Sequence, residues 1–255
     1  MKVLLILADG MRPDALTDLP QVEEMKKKAA YTMDAQTVFP SVTLPCHVSL
    51  FHSVPPMRHG TTTNTYAQQV RPVDSLFETL AKNKKHNAMF YSWDELRDLC
   101  VPGCLAHRSY WGGWVHTYEK ASDKLTEEAI AYMKEYQPDF TFLYMGDPDS
   151  AGHGYGWMGE EYMRAVRNCW QRIEKVLAEL DEDYTVIITA DHGGHDRTHG
   201  TELPEDMTIP VFVMGKDFEA GKELENVNIM DIAPTVTKLL GVAPDSEWEG
   251  KSLID

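Results

Sequence analysis

The chain has 255 residues, of which 43% are hydrophobic, enough to bury a sizeable core, and a single large domain over 1–255 is as plausible as two small ones. Lys plus Arg number 24 against 40 Asp plus Glu, for a formal net charge of -16, which argues against the clustered basic surface that a nucleic-acid polymer needs. Four cysteines make no disulfide framework, and the N-terminal apolar run, interrupted by Asp9 and Arg12, is too short for a signal-peptide core or a membrane span, so a cytoplasmic protein with no membrane partner is expected.

Val3 to Leu7 is a continuous apolar run, the pattern of a central parallel strand covered on both faces. Asp9 follows it and on its own would read as a turn or N-cap residue. Gln21 to Ala30 reads as a short amphipathic helix and Tyr31 to Val38 as a second strand, stopped by Pro40. Thr43 stands where a helix through about Phe51 would begin, with Pro45 tolerated in its first turn, which predicts a Thr43 N-cap. The same hydroxyl, set against a helix dipole and a divalent cation, would make a nucleophile. Ser41 is the second candidate for that role.

Val54 to Asn64 is rich in turn residues, Asp74 to Lys85 reads as a helix and Ala88 to Tyr91 as a strand. Residues 92–116 lack a clear period and carry Trp93, Trp111, Trp114, Cys100, Cys104, His107 and His116. This segment reads either as a substrate loop or as a small satellite core on the tryptophans. A zinc site at Cys100, Cys104 and His107 is a minor alternative, since no CxxC is present. Ser122 to Tyr136 is predicted as a helix capped by Ser122, and Phe140 to Tyr144 as a strand leading to Asp147-Pro148-Asp149 with His153 close behind. Glu160 to Leu180 gives the longest helix, with Cys169 on its apolar stripe. Asp183 to Thr189 and Ile209 to Met214 are strands, and Met230 to Leu240 is a helix ending at Gly241. The βα alternation implies a three-layer α/β/α sandwich around a largely parallel sheet.

Three strand ends thus deliver acidic side chains: Asp9, then Asp149 with His153, then Asp191 with His192. Open α/β sheets place their ligand sites at that edge, so the set points to a multinuclear metal centre. Mixed imidazole and carboxylate ligands suit zinc, or manganese, better than calcium or magnesium.

The segments Ala8-Asp9-Gly10, Phe39 to His47, His59-Gly60 with Asn64, Pro148 to His153, Ala190 to Gly193, His199-Gly200 and Met230 to Thr235 resemble, in that order, the alkaline phosphatase superfamily in its type I phosphodiesterase/nucleotide pyrophosphatase branch. The resemblance implies an alkaline phosphatase-like core and two divalent metal ions. One would be held by Asp149, His153 and His199, the other by Asp9, Asp191 and His192, with Thr43 on or between them as nucleophile. Asn64 would hydrogen-bond a non-bridging phosphoryl oxygen, and a phospho-threonine intermediate would be hydrolysed. His199, followed by Gly200, fits the third-histidine position better than His195, which is left as an outer contact. His47 is assigned a place under the nucleophile helix and His59 the ordering of its own loop. The implied activity is hydrolysis of phosphate diester or pyrophosphate bonds in a small phosphorylated substrate. Phosphomonoesterase or phosphomutase chemistry, or a silent binding protein, are the alternatives. Leu44 replaces the aromatic residue that nucleotide-cleaving relatives carry after the nucleophile, and Cys46 replaces their usual Asn. Trp93, Trp111, Trp114, Tyr155 and Trp157 are candidates for another platform, and Arg12, Arg58 and Arg108 for the basic group of a monoesterase.

Overall fold

In the computed structural model, which describes residues 1–254, β1 is Lys2–Ala8, and every side chain from Val3 to Ala8 is buried although successive residues point to opposite faces. Both faces of the sheet are therefore covered, as the layered arrangement requires. Pro20 opens α1 (Pro20–Lys28), where its missing N–H costs nothing, and β2 (Ala30–Gln36) returns along the sheet. All ten residues of α2 (Thr43–His52) are buried, which explains why the helix shows no polar face in the sequence. After α3 (Pro56–His59), the Ser75 hydroxyl and the Glu78 carboxylate form a capping box on α4 (Leu76–Lys82). Then come β3 (Asn87–Tyr91), β4 (His107–Tyr110), α5 (Gly113–His116), α6 (Tyr118–Tyr136), β5 (Phe140–Met145), α7 (Asp147–Tyr155) and α8 (Glu160–Leu177). The chain closes with β6 (Tyr184–Thr189), α9 (Pro204–Met207), β7 (Thr208–Met214) and α10 (Ile232–Leu239).

The seven strands lie in the order β2-β7-β6-β1-β5-β3-β4. β1 runs parallel to β5 and β6, and β3 parallel to β5 and β4, whereas β7 is antiparallel to both β6 and β2. The antiparallel edge departs from unbroken βα alternation: the connection over 190–207 carries only the four-residue α9 and no crossover helix. Among the described residues no helix is long and apolar enough to cross a membrane.

Several element ends differ from the sequence expectation, each for a local reason. Thr43 is the first residue of α2 rather than its cap, because Val42 occupies the extended N-cap position and makes no side-chain cap bond. α6 begins at Tyr118, with the Thr117 hydroxyl accepting from the Lys120 amide; Ser122 lies inside the helix and donates to Asp147 Oδ1 at 2.8 Å. Residues 92–116 do not form a satellite core of their own and alternate regular elements with irregular stretches at 100–106 and 111–112. They supply a 3-10 helix at Asp94–Leu99, the edge strand β4 and α5, and Leu96, Leu99, Trp93 and Trp111 pack onto the main core. No zinc-type cluster forms at Cys100, Cys104 and His107 among the described residues, and the His107 ring stacks on Tyr132 at 4.1 Å.

α7 is anchored from behind. Asp147 and Arg172 are both buried, the Arg172 guanidinium donating to Asp147 Oδ2 at 2.7 Å and to Asp123 Oδ1 at 2.6 Å. Removing one partner leaves the other charged and unpaired, which costs about 3–5 kcal/mol in buried pairs. Arg172→Met is therefore expected to lower the urea midpoint by a corresponding amount with an unchanged slope. A midpoint equal to wild type would show that the pair contributes nothing net.

Candidate metal centre

Strand register brings the site together. Ala8 pairs with Met145 and Leu7 with Thr189, so β1, β5 and β6 end at one level and the residues after them share one crevice. Asp9 follows β1 directly, Asp191 follows β6 by one residue, and β5 feeds α7, where Asp149 and His153 stand four residues apart on one face. Gly10, at φ +67°, turns the β1 end so that its amide donates to Asp191 Oδ1 at 3.2 Å. A Cβ there would lie 3.0 Å from the Asp149 Cα, so the two loops close only on glycine.

Three imidazoles are oriented alike. His192 Nδ1 lies 2.7 Å from Gly193 O, His199 Nδ1 2.8 Å from Ser41 O and His153 Nδ1 3.0 Å from Arg197 O. A carbonyl can only accept, so each Nδ1 is the donor and each Nε2 presents a lone pair, the arrangement in which outer carbonyls fix metal-binding histidines. His153 Nε2 and His199 Nε2 face each other at 3.2 Å, and Asp149 Oδ1 lies 3.5 and 3.7 Å from them. His192 Nε2 lies 3.4 Å from Asp9 Oδ1, 3.3 Å from Asp191 Oδ2 and 3.0 Å from Thr43 Oγ1.

Two ligand groups result, Asp149 with His153 and His199, and Asp9 with Asp149 and His192. Asp149 thus belongs to both, and Asp191 adjoins the second through His192. Asp9 Oδ1, Asp149 Oδ1 and Asp191 Oδ2 are buried without a hydrogen-bond partner. Buried, unpaired carboxylate oxygens beside unprotonated imidazole nitrogens are the donor set of a cation, so these residues fit a divalent metal. The electrostatics agree. Burial, then the charges of Asp191 and Asp149, push Asp9 well above the usual carboxylate range, and burial likewise raises Asp149. Burial would raise Asp191 too, but His192 and His47 hold it below the usual range. Burial, with His192 beside it, takes His199 down to about 3.

Trp157 binds the loops to one another. Its indole donates to Gly10 O at 3.0 Å, and its ring lies so close to Gly152 and Gly194 that a Cβ would approach within 2.5 and 2.2 Å. It is a clamp rather than a platform. The α7 helix is the site element that the sequence concealed, since Gly152 and Gly154 weaken its helical signal.

The remaining candidates take distinct places. The Thr43 hydroxyl, freed from capping, faces His192, while Ser41 Oγ donates to Thr201 O at 2.7 Å and points elsewhere. Asn64 Oδ1 accepts from the Leu44 amide at 3.0 Å, so Asn64 supplies the cap that Thr43 does not. His47 donates through Nδ1 to Thr43 O at 2.8 Å and lies 3.4 Å from Asp191 Oδ2, tying the start of α2 to the β6 end. His59 Nδ1 accepts from the Thr61 amide, ordering its loop. His195 Nδ1 lies 2.8 Å from Asp206 Oδ1, whose other oxygen accepts from the Thr201 amide and hydroxyl; His195 is outside both ligand groups. Leu44 is fully buried and offers no stacking face. Of the five aromatic candidates only Trp114 and Tyr155 are largely exposed, at 79% and 66%. Arg12 is bound to Asp14 and Gly194 O, Arg58 to Arg71 O and Glu247, and Arg108 to Arg97 O and Cys100.

Residues 3–206 match the family described as type I phosphodiesterase / nucleotide pyrophosphatase. The 2,3-bisphosphoglycerate-independent phosphoglycerate mutase of Clostridioides difficile is 29% identical over 143 residues, 53% of this chain and 28% of the mutase. Human ectonucleotide pyrophosphatase/phosphodiesterase family member 1 is 24% identical over 216 residues, 74% of this chain and 23% of that protein. The chain therefore spans only about a quarter of the length of these relatives. The structure of murine ectonucleotide pyrophosphatase/phosphodiesterase 5, in an inactive form complexed with AMP, superposes with a TM-score of 0.82 at 14% identity, covering 100% of both chains.

Proposed function

The chain belongs to the type I phosphodiesterase / nucleotide pyrophosphatase family, and on that premise we propose that it is a metal-dependent phosphoryl-transfer enzyme, hydrolysing phosphate diester or pyrophosphate bonds of a small phosphorylated substrate. The observation that carries this reading is the convergence of three oriented imidazole Nε2 atoms and three unpaired buried carboxylate oxygens at one strand-end crevice, with the Thr43 hydroxyl on the Nε2 of His192. Asp149, His153 and His199 would hold one divalent ion, and Asp9, Asp191 and His192 the other, zinc first and manganese second. Such ions neutralise phosphoryl oxygens and lower the pKa of a hydroxyl beside them.

The chain's own part is orientation. Thr43 stands at the N-terminus of a buried ten-residue helix, whose dipole favours negative charge on its oxygen. Asn64, held to that helix through Oδ1, keeps its amide N–H groups for a phosphoryl oxygen. The engagement of Arg12, Arg58 and Arg108 by other partners supports a diester over a monoester, whose extra charge calls for a basic partner. A cytoplasmic location is part of the proposal, supported by four cysteines that are all unpaired.

The test is hydrolysis of bis-p-nitrophenyl phosphate beside p-nitrophenyl phosphate with zinc or manganese restored. Preference for the diester supports this reading; preference for the monoester would transfer it to phosphatase or mutase chemistry. The same preparations separate the two histidines. After dialysis against metal, His199→Ala is expected to lose bound ion and His195→Ala to retain it, measured by atomic emission. The reverse result would exchange their roles.

A further inference from the structure

Away from the metal centre, the segment before β4 holds two thiols in one turn. Cys100 is half-buried and Cys104 nearly buried, and the Cys104 amide bonds back to Val101 O, closing a turn in which Gly103 takes φ +95°. The two thiols are thus brought to one turn, and the Arg108 guanidinium donates to the Cys100 sulfur at 3.5 Å. Cys100 lines a surface cleft with Arg97, Pro102, Gly103 and Arg108, whereas Cys104 is buried and its thiol donates to Val101 O at 2.9 Å. The other two cysteines differ. Cys46 and Cys169 are fully buried, and burial pushes both thiols well up.

We infer that Cys100 and Cys104 form a redox dithiol, with Cys100 as the attacking thiol, Arg108 stabilising its thiolate, and Cys104 resolving a mixed disulfide made with a low-molecular-weight disulfide. The thiolate is the nucleophile in such exchange, and a guanidinium beside one thiol but not its neighbour decides which attacks. The Cys104 thiol and then Arg108 hold Cys100 below the usual thiol range against its burial. With oxidised glutathione, the Cys100 thiolate attacks one sulfur, forms the Cys100–glutathione disulfide and expels one glutathione thiolate. Cys104 then loses its proton to solvent and attacks the Cys100 sulfur, expelling the second. The chain is oxidised by two electrons, the glutathione disulfide is reduced to two thiols, and the two protons lost from the cysteines end on them. A four-residue step across a tight turn suits the short Cα separation of a disulfide.

Oxidised glutathione is the probe, with the reaction stopped by acid and read by mass spectrometry. Both cysteines lie between Arg97 and Arg108, so a single tryptic peptide reports them. The native protein should yield that peptide lighter by two hydrogens, and Cys104→Ser should stop at a glutathione adduct on Cys100. Arg108→Gln keeps both thiols and should slow the first step about threefold to tenfold. That variant tests the assignment even if a cysteine variant fails to fold. Adducts appearing first on Cys104 or Cys46, an unchanged rate in Arg108→Gln, or reaction only in the urea-unfolded chain would each overturn it. None of these outcomes depends on the chemistry proposed for the metal centre.

Discussion

Thr43→Ala is expected to abolish turnover of a phosphate diester, by a factor of about 10^3 to 10^6 as for other nucleophile deletions, while leaving bound metal and folding stability close to wild type. The two halves of this expectation come from one geometric fact. The hydroxyl makes no cap bond to α2 and meets His192 Nε2 at 3.0 Å, so its removal takes nothing from the helix, whose Leu44 amide is satisfied by Asn64. The candidate ligands Asp9, Asp149 and His192 are positioned by β1, α7 and the Gly193 carbonyl rather than by the Thr43 hydroxyl, which only meets the Nε2 of His192. Thr43→Ser retains the hydroxyl and should keep turnover within about tenfold of wild type, the loss reflecting only the freer rotamer of an unbranched side chain. Measurements of turnover, metal content and thermal midpoint on the same samples separate the possibilities. Normal turnover in Thr43→Ala would remove Thr43 from the mechanism, and loss of metal with turnover would make it a structural ligand.

What the sequence disclosed and what it concealed follow from the range of the interactions involved. Strands β1, β5 and β6 are buried on both faces and therefore read as unbroken apolar runs, and the acidic residues behind them mark the sheet edge without further information. The carbonyls that orient His192, His199 and His153 lie on Gly193, Ser41 and Arg197, and two of those three are more than forty residues away in the chain. No spacing rule could supply them. The Thr43 cap failed because the helix starts one residue earlier: the Cys46 amide, the donor a Thr43 cap would reach, bonds the Val42 carbonyl, and the Leu44 amide is met by Asn64, 20 residues beyond it. The sharing of Asp149 between two ligand groups needs the close approach of Gly10 to α7, a contact between strand ends that only the folded register creates.

Asp9→Asn should reverse its effect on stability with metal. Asp9 is 1% exposed; one oxygen accepts the Tyr144 hydroxyl, and the other has no partner and faces the Asp149 and Asp191 carboxylates. Without a cation, three acidic groups share a water-poor space, and a buried unpaired polar group costs about 1–3 kcal/mol, more when charged. The amide variant keeps an acceptor for Tyr144 and cannot ionise, whereas folding the Asp9 carboxyl into this space either desolvates its charge or makes it take up a proton, so under chelator the variant should melt higher than wild type. With zinc the order should invert. A ligand at a hundred times its Kd stabilises the native state by about 2.7 kcal/mol per site, and the variant gives up much of that at one site together with its turnover. Thermal scans of both proteins, with chelator and with excess zinc or manganese, decide the matter. A variant that melts lower than wild type in both conditions would mean that Asp9 is needed for packing rather than held in readiness for a cation. Wild type indifferent to either metal would favour a silent binding protein on this fold. Crossing of the two curves would locate the stabilising charge at the end of β1, where the acidic groups are a liability to the fold until a cation joins them.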